Sequence, residues 1–273
     1  MGISEADASR FRRAVLDFYA REGRTFPWRE TRDPWAILVS EAMLQQTQTQ
    51  RVEPMYRAWM QQYPDASSVA GTKLADIYES WKGLGYNSRA LRLRDTARIC
   101  SELYGGVPPA DEGLLLGLPG VGRYTAGAVR AFAYNIPVVI LETNIRAALI
   151  FHFFRGSERV SDLDLEPIAE SVLDRGNTRR WYYALMDYGV WLKKHEPNPS
   201  RKAAVYARQT KFEGSLRQLR GGLLRALADK GPVSLASMAA ETGNDYQRIL
   251  SAAKGLEKDG LVYLDDDTIG FTD

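Results

Sequence analysis

The sequence predicts a mainly α protein with a small α+β domain at its C-terminus, and three observations carry that reading. Apolar residues recur at helical spacing along residues 1–214, alternation suited to strands is confined to residues 261–271, and Gly and Pro punctuate the joints between periodic stretches. At 273 residues the chain fits one large or two unequal domains. The first helix is expected from about Ser4 to Glu22, with Phe11, Val15, Phe18 and Tyr19 on one face and Gly23 just past its end. After a loop carrying Phe26-Pro27-Trp28-Arg29, Asp33 caps a second helix that holds Pro34 in its first turn and runs from Trp35 to about Gln48. Further helices are expected near 50–62, 66–69, 75–81, 88–104, 111–117, 125–134, 144–154, 163–173 and 178–191.

Past Phe212-Glu213-Gly214 the texture changes. Helices over 216–230, 235–242 and 246–259 precede two short strands, 261–264 and 268–271, joined by Asp265-Asp266-Asp267. Residues 215–273 resemble a winged helix-turn-helix domain, with Gly243 near its turn and the acidic tip as its wing. Their net charge is −2, against +4 for the first 214 residues. An acidic wing repels phosphate, so a protein partner or plain packing is favoured over DNA reading for this domain.

Composition closes several other routes. With 45% hydrophobic residues, mean hydropathy of −0.33 and no long apolar run, a membrane span is excluded. The charged amphipathic N-terminus lacks the pattern of a signal peptide, which leads to the expectation of a cytoplasmic protein, nucleoid-associated if bacterial; a monomer is expected. One cysteine, Cys100, allows no internal disulfide, and with only His152 and His195 beside it the usual zinc or iron-sulfur cage has no ligand set.

The segment Leu118-Pro119-Gly120-Val121-Gly122-Arg123-Tyr124-Thr125 sits between two helical stretches. Two glycines flanking an apolar anchor permit positive φ, and the turn opens into a helix N-terminus, where backbone amides and the helix dipole favour an anion such as a phosphate diester. A Gly-x-Gly pair taken alone reads more readily as a tight helix–helix turn. Four further motifs accompany it in order: Phe26-Pro27-Trp28-Arg29, Ser40-Glu41-Ala42-Met43-Leu44-Gln45-Gln46-Thr47-Gln48, Trp81-Lys82-Gly83-Leu84-Gly85-Tyr86 and Leu185-Met186-Asp187-Tyr188-Gly189.

With these motifs, residues 20–192 resemble the helix-hairpin-helix DNA glycosylase superfamily, and within it the adenine DNA glycosylases. The resemblance implies a two-lobed helix-hairpin-helix glycosylase fold over 1–214, one lobe from residues 31–143 and the other from 1–30 with 144–214, followed by the winged-helix-like domain 215–273. It implies base excision repair, with double-stranded DNA holding a mispaired or damaged base as partner. Adenine opposite guanine or 8-oxoguanine is the leading substrate; a mismatch thymine or uracil glycosylase and a non-catalytic lesion-binding protein are the alternatives.

Cleaving a base from deoxyribose needs an activated leaving group and a stabilised oxocarbenium-like sugar, and paired carboxylates supply both. Glu41 shares a helix face with Leu38 and Gln45, which turns it to the core side, where burial favours a carboxyl proton that can be donated; from the pattern alone a solvent-exposed glutamate beside Leu44 is an equal reading. The resemblance makes it the acid that protonates adenine, or a residue that positions water. The second carboxylate departs from the family pattern. Where the family carries aspartate, Val138-Val139-Ile140-Leu141 leads into Glu142, whose oxygens reach about 1 Å farther or must fold back. An error of that size can cost about a hundredfold in rate. Glu142 doing the aspartate's job, a site suited to another base, and binding without efficient cleavage all stay open.

Tyr124 and Asn144 match residues that orient the carboxylate and the sugar. Gln45 and Gln46 match the wedge that fills the gap left by a flipped nucleotide, Tyr86 is a candidate to stack beside the opposing base and equally a core aromatic, and Leu118, Gly120, Val121, Gly122, Arg123 and Thr125 are the hairpin expected on the phosphate backbone. Trp28 and Arg29 are assigned to the base pocket. Arg89, Arg92, Arg94, Arg98, Arg179, Arg180, Lys193, Lys194, Arg201 and Lys202 are candidate phosphate contacts. No lysine lies between Lys82 and Lys193, and Tyr124 stands where bifunctional relatives carry their Schiff-base lysine, so hydrolysis by water without strand nicking is expected. The family's four cluster cysteines fall on Lys193, Ser200, Ala203 and Gln209, which implies no iron-sulfur cluster and no other cofactor.

Overall fold

Most helices start on a side chain that can accept from an otherwise unpaired amide: Ser4, Asp33, Asp65, Asp111, Ser161, Asn177, Ser215, Ser234 and Asp245 all do so. The computed structural model describes residues 3–207 and 211–272. In chain order its helices are α1 (Glu5–Glu22), α2 (Pro27–Glu30), α3 (Pro34–Leu44), α4 (Thr49–Gln62), α5 (Ala66–Ala70), α6 (Leu74–Trp81), α7 (Ser88–Leu103), α8 (Glu112–Leu116), α9 (Arg123–Phe132), α10 (Thr143–Phe153), α11 (Asp162–Val172), α12 (Thr178–His195), α13 (Leu216–Lys230), α14 (Leu235–Thr242) and α15 (Tyr246–Lys258). A 3-10 turn spans Pro199–Lys202, and the strands are β1 (Val233–Ser234), β2 (Val262–Asp265) and β3 (Thr268–Phe271). No helix among the described residues is long and apolar enough to cross a membrane.

The chain divides into two units. The first comprises Met1–Leu38, Pro108–Gly117 and Val121–Arg208; the second Val39–Val107, Leu118–Gly120 and Gln209–Asp273. This partition differs from the expected lobes: residues 31–38, 108–117 and 121–143 fall in the first unit, and the C-terminal domain falls in the second with residues 39–107.

In the first unit α1 lays Phe11, Val15 and Phe18 against α11 and α12, as its periodicity requires; Tyr19 stays half-buried. Phe11 meets the rings of His152, Phe153 and Trp181 edge-on, which fastens α1 to α10 and α12 together. The apolar run before Glu142 lies outside every helix and, among the described residues, pairs with no strand. Instead the Tyr182 hydroxyl donates to the Val138 carbonyl at 2.6 Å and accepts from the Ile140 amide at 3.0 Å, doing for this backbone what a neighbouring strand would. Gly127 lets the segment lie against α9, since a Cβ there would stand 2.4 Å from Ile140 Cγ2.

In the second unit, α13, α14, α15 and an antiparallel sheet of order β1-β3-β2 form the expected winged-helix arrangement. The two-residue β1 was too short to read from sequence. Gly243 takes the left-handed φ of +66° between α14 and α15. Of the three wing-tip aspartates, Asp267 is structural: its carboxylate accepts from Ser234, Tyr246 and the Ala236 amide, clamping the tip onto the start of α14. The core of this domain does not close on itself. Leu74 and Tyr78 of α6 share one buried cluster with Leu223, Leu224, Leu227, Leu256 and Ile269, and Lys82 pairs with Asp229 at 3.2 Å. Truncating Leu227, 2% exposed, should destabilise the protein by about 2–5 kcal/mol. Because the cluster is common property, the melting transition of Leu227→Ala should stay single, with no separate early unfolding of residues 215–273.

Packing also sets a pH dependence. Burial, reinforced by the charge of Arg155, lowers the His152 imidazole from 6.5 to about 4. The unfolded chain therefore binds a proton that the folded chain refuses between those values, so this contribution is complete above about pH 6.5 and is lost as pH falls toward 4. Thermal melts should show that decline, and His152→Phe should flatten it.

Candidate active site

Glu142 takes extended backbone angles immediately before α10 and acts as its N-cap. Its side chain folds back: Oε1 accepts from the amides of Asn144 at 2.7 Å and Ile145 at 2.8 Å, while Oε2 accepts from Asn144 Nδ2 at 3.0 Å. The extra methylene relative to aspartate is absorbed by this fold-back. Burial pushes the Glu142 carboxyl above the ordinary carboxylate range, opposed by the two amides and by the charges of Lys193 and Arg146. A half-buried carboxylate held by three N–H groups at the positive end of a helix dipole suits the stabilisation of a developing cation beside it.

The amide end of α10 is met by α12. A Cβ on Gly189 would lie 2.0 Å from the Asn144 carbonyl oxygen, so the contact exists only with glycine there. One half-turn earlier, Asp187 is 3% exposed and binds two arginines. Arg24 reaches it through its amide, Nε and Nη2 at 2.6–2.8 Å, and Arg29 through both terminal nitrogens at 2.8 and 2.9 Å. Burial alone would raise the Asp187 carboxyl, but the arginine hydrogen bonds and charges outweigh it and leave it below its usual value. The Phe-Pro-Trp-Arg and Met-Asp-Tyr-Gly motifs are thereby one structure. Arg29 is occupied by Asp187 and by the ring of Tyr183 4.6 Å away, while Trp28 is buried and stacked on Phe26.

Glu41 lies on α3 and is 7% exposed, which decides for the core side over the solvent-exposed reading. The helix does not reach Gln48. It ends at Leu44, and Gln45 and Gln46 form a turn in which Gln46 takes a left-handed φ of +57°. Arg89 is the cause. Only 6% exposed, its guanidinium donates to the carbonyls of Ala42, Met43, Gln45, Leu84 and Gly85 and to the Thr47 hydroxyl, so the orphan carbonyls of α3 and the Gly-Leu-Gly-Tyr turn converge on one cation. Burial lowers its pKa to about 10. Arg89 is therefore a scaffold residue and not a phosphate contact; its place beside Leu93, Thr96 and Cys100 on the buried face of α7 was the available sign. Tyr86, at φ +49°, ends this turn, stacks on Arg89 and accepts from Arg217 Nη1 at 3.2 Å. Arg94 is likewise buried, and Arg179 is spent on the carbonyls of Phe132, Arg29 and Thr31.

In the hairpin, Leu118, Val121 and Thr125 are buried, whereas Gly120, Gly122 and Arg123 are exposed and Tyr124 is half-buried. Gly120 has φ +77°, and a Cβ would sit 3.0 Å from the Arg92 side chain; the Thr96 hydroxyl fixes the turn by donating to the Pro119 carbonyl at 2.9 Å. Gly122 is the N-cap of α9 with no side-chain cap, which leaves its first amides facing outward.

The pattern of the "HhH-GPD superfamily base excision DNA repair protein" family matches residues 39–167. The adenine DNA glycosylase of Mycolicibacterium smegmatis is 33% identical over 270 residues, covering 91% of both chains. The chain belongs to the adenine DNA glycosylase branch of the HhH-GPD superfamily. The rat adenine DNA glycosylase is 36% identical over 197 residues, which are 68% of this chain and 38% of that longer protein. Among solved structures, a thermostable thymine-DNA glycosylase is 28% identical with a TM-score of 0.61 over 67% of this chain and 86% of its own. A trapped endonuclease III–DNA covalent intermediate, 17% identical with a TM-score of 0.58, shares the fold over 69% of this chain and 87% of its own.

As a base excision repair glycosylase, the chain has a cluster region of its own kind. Lys193 lies in the last turn of α12; Ser200 is buried with its hydroxyl on Asn198, and Ala203 follows the 3-10 turn beside Val160. Gln209 lies outside the described residues. A lysine, a serine and an alanine do not fit an iron-sulfur cluster, and no group of three His, Cys, Asp or Glu residues converges on a metal position among the described residues.

Two substitutions test this geometry. Gly189→Ala should force α12 away from Asn144, costing about 1–3 kcal/mol or more, with base release falling further than melting temperature. Arg89→Met should cost roughly 3–5 kcal/mol, because six carbonyls, that of Tyr86 included, lose their donor, and Arg89→Lys should recover only part of it.

Proposed function

We propose that this protein is a monofunctional adenine DNA glycosylase that removes adenine mispaired with guanine or 8-oxoguanine, acting as a monomer on duplex DNA. The observation that carries this reading is the Glu142 carboxylate, held by Asn144 and Ile145 at the α10 N-terminus in a member of this branch. Hairpin amides of residues 120–124 grip a phosphate, Gln45 and Gln46 occupy the gap left by the extruded nucleotide, and Tyr86 stacks at the opposing base. Trp28 borders the base pocket, with Arg29 bracing it through Asp187.

Glu41 gives its proton to the adenine ring. The base leaves with the electron pair of the N-glycosidic bond, and the cationic sugar forms beside ionised Glu142, oriented with help from Asn144 and Tyr124. Water adds to the anomeric carbon, its proton passes to a carboxylate, and the products are free adenine and an abasic site. No amine attacks the sugar, so no Schiff base forms. The protein carries no iron-sulfur cluster, and residues 215–273 act in support of the second unit and as a surface for protein partners.

Single-turnover release of free base from duplexes carrying every mismatch and 8-oxoguanine pair is the test. Adenine release is expected; thymine or uracil release instead would transfer the assignment to mismatch pyrimidines, and tight binding with no release would make the protein a lesion binder. Glu142→Gln and Glu41→Gln should each lower release by at least about a hundredfold, while Glu142→Asp keeps most of it. The purified protein should lack visible absorbance and iron, and borohydride should trap no covalent DNA adduct.

A further inference from the structure

We propose that Lys193 is a positioning residue for Glu142: its ammonium, on the face of α12 that crosses the first turn of α10, keeps the carboxylate ionised and seated on its amides without taking up either oxygen. The inference rests on the reading of Glu142 as the carboxylate of the reaction.

The geometry begins at Gly189, where α12 touches the Asn144 backbone. Residues four apart share a helix face, so Lys193 stands one turn further along the face in contact with α10. It is half-buried although Lys194, His195 and Glu196 beyond it are exposed. Among the described residues it forms no ion pair within 4.0 Å. The other cation acting on Glu142, Arg146, is already paired with Asp162 at 2.7 Å on α11, and Arg24, which acts on Lys193, is paired with Asp187 at 2.6 Å on α12. Lys193 is thus the cation facing Glu142 from the packed helix whose charge no carboxylate at contact distance cancels. Burial lowers the Lys193 ammonium and raises the Glu142 carboxyl, and against that the two act on each other, Lys193 favouring the charged form of Glu142 and Glu142 that of Lys193.

A reason for such a residue lies in Asn144. Its Nδ2 holds Glu142 Oε2, yet its own buried Oδ1 has no hydrogen-bond partner, so that amide is not locked from its other side. One of the two carboxylate oxygens therefore hangs on a side chain with little anchoring of its own. A fixed positive charge nearby holds that oxygen in place by making the protonated, loosened form of Glu142 unfavourable.

The test is the pH profile of single-turnover adenine release by the full-length protein from an adenine·8-oxoguanine duplex, over about pH 5 to 9. In Lys193→Met the acidic limb should move up by roughly one pH unit, making release roughly tenfold slower on that limb, whatever the plateau rate. Lys193→Arg should keep the wild-type limb, and Lys193→Gln, measured alongside, should repeat the Met result should Lys193→Met fold poorly. In a Glu142→Gln background the lysine substitution should produce no further shift. An unmoved limb in Lys193→Met or Lys193→Gln, whatever the plateau rate, overturns the proposal while leaving Glu142 in its role. Wild-type release by Glu142→Gln alone would overturn the underlying reading as well, so the two failures are told apart.

Discussion

Helix α12 can lie against the amide end of α10 because position 189 carries no side chain. A methyl group there would stand inside the Asn144 carbonyl, and everything around Glu142 depends on that space staying empty. The contact brings the Asp187 cluster and Lys193 to one end of α10, while Tyr182, earlier on the same helix, fixes the backbone that leads into Glu142. One helix thus sets the carboxylate's approach, its electrostatic surroundings and its link to the N-terminal loop.

The second unit solves a different problem with a charge. Helix α3 must stop abruptly after Glu41 so that Gln45 and Gln46 leave the helical path, and stopping a helix inside a protein strands its carbonyls. Arg89 collects them together with those of the Gly-Leu-Gly-Tyr turn. Burying a guanidinium without a carboxylate is tolerable only because many oriented carbonyl dipoles surround it. The same residue supports Glu41's helix, the glutamine turn and Tyr86.

Much of this was legible in the sequence, and the limits have physical causes. Helical periodicity located the helices, the Gly-x-Gly turn before α9 marked the hairpin, and the five motifs in order identified the family. Local rules left Glu41 open between a buried and an exposed face, and the structure buries it. They could not see the end of α3, because the residue that ends it lies more than forty positions away in the chain. Nor could they choose between a reaching and a folded-back Glu142, a choice made by two amides of the following turn. The partition into units escaped for the same reason: Leu74 and Tyr78 read as one more amphipathic helix face until α13 supplies the other half of their cluster.

The capping role of Glu142 ties the chemistry of one side chain to the winding of the helix it begins. An ordinary N-cap stabilises a helix and is otherwise idle; here protonating the same carboxyl both removes the charge and weakens two backbone hydrogen bonds. The amide protons of Asn144 and Ile145 therefore act as a gauge of the site's readiness, their exchange and chemical shift reporting the ionisation of Glu142 in the resting protein, with no DNA present.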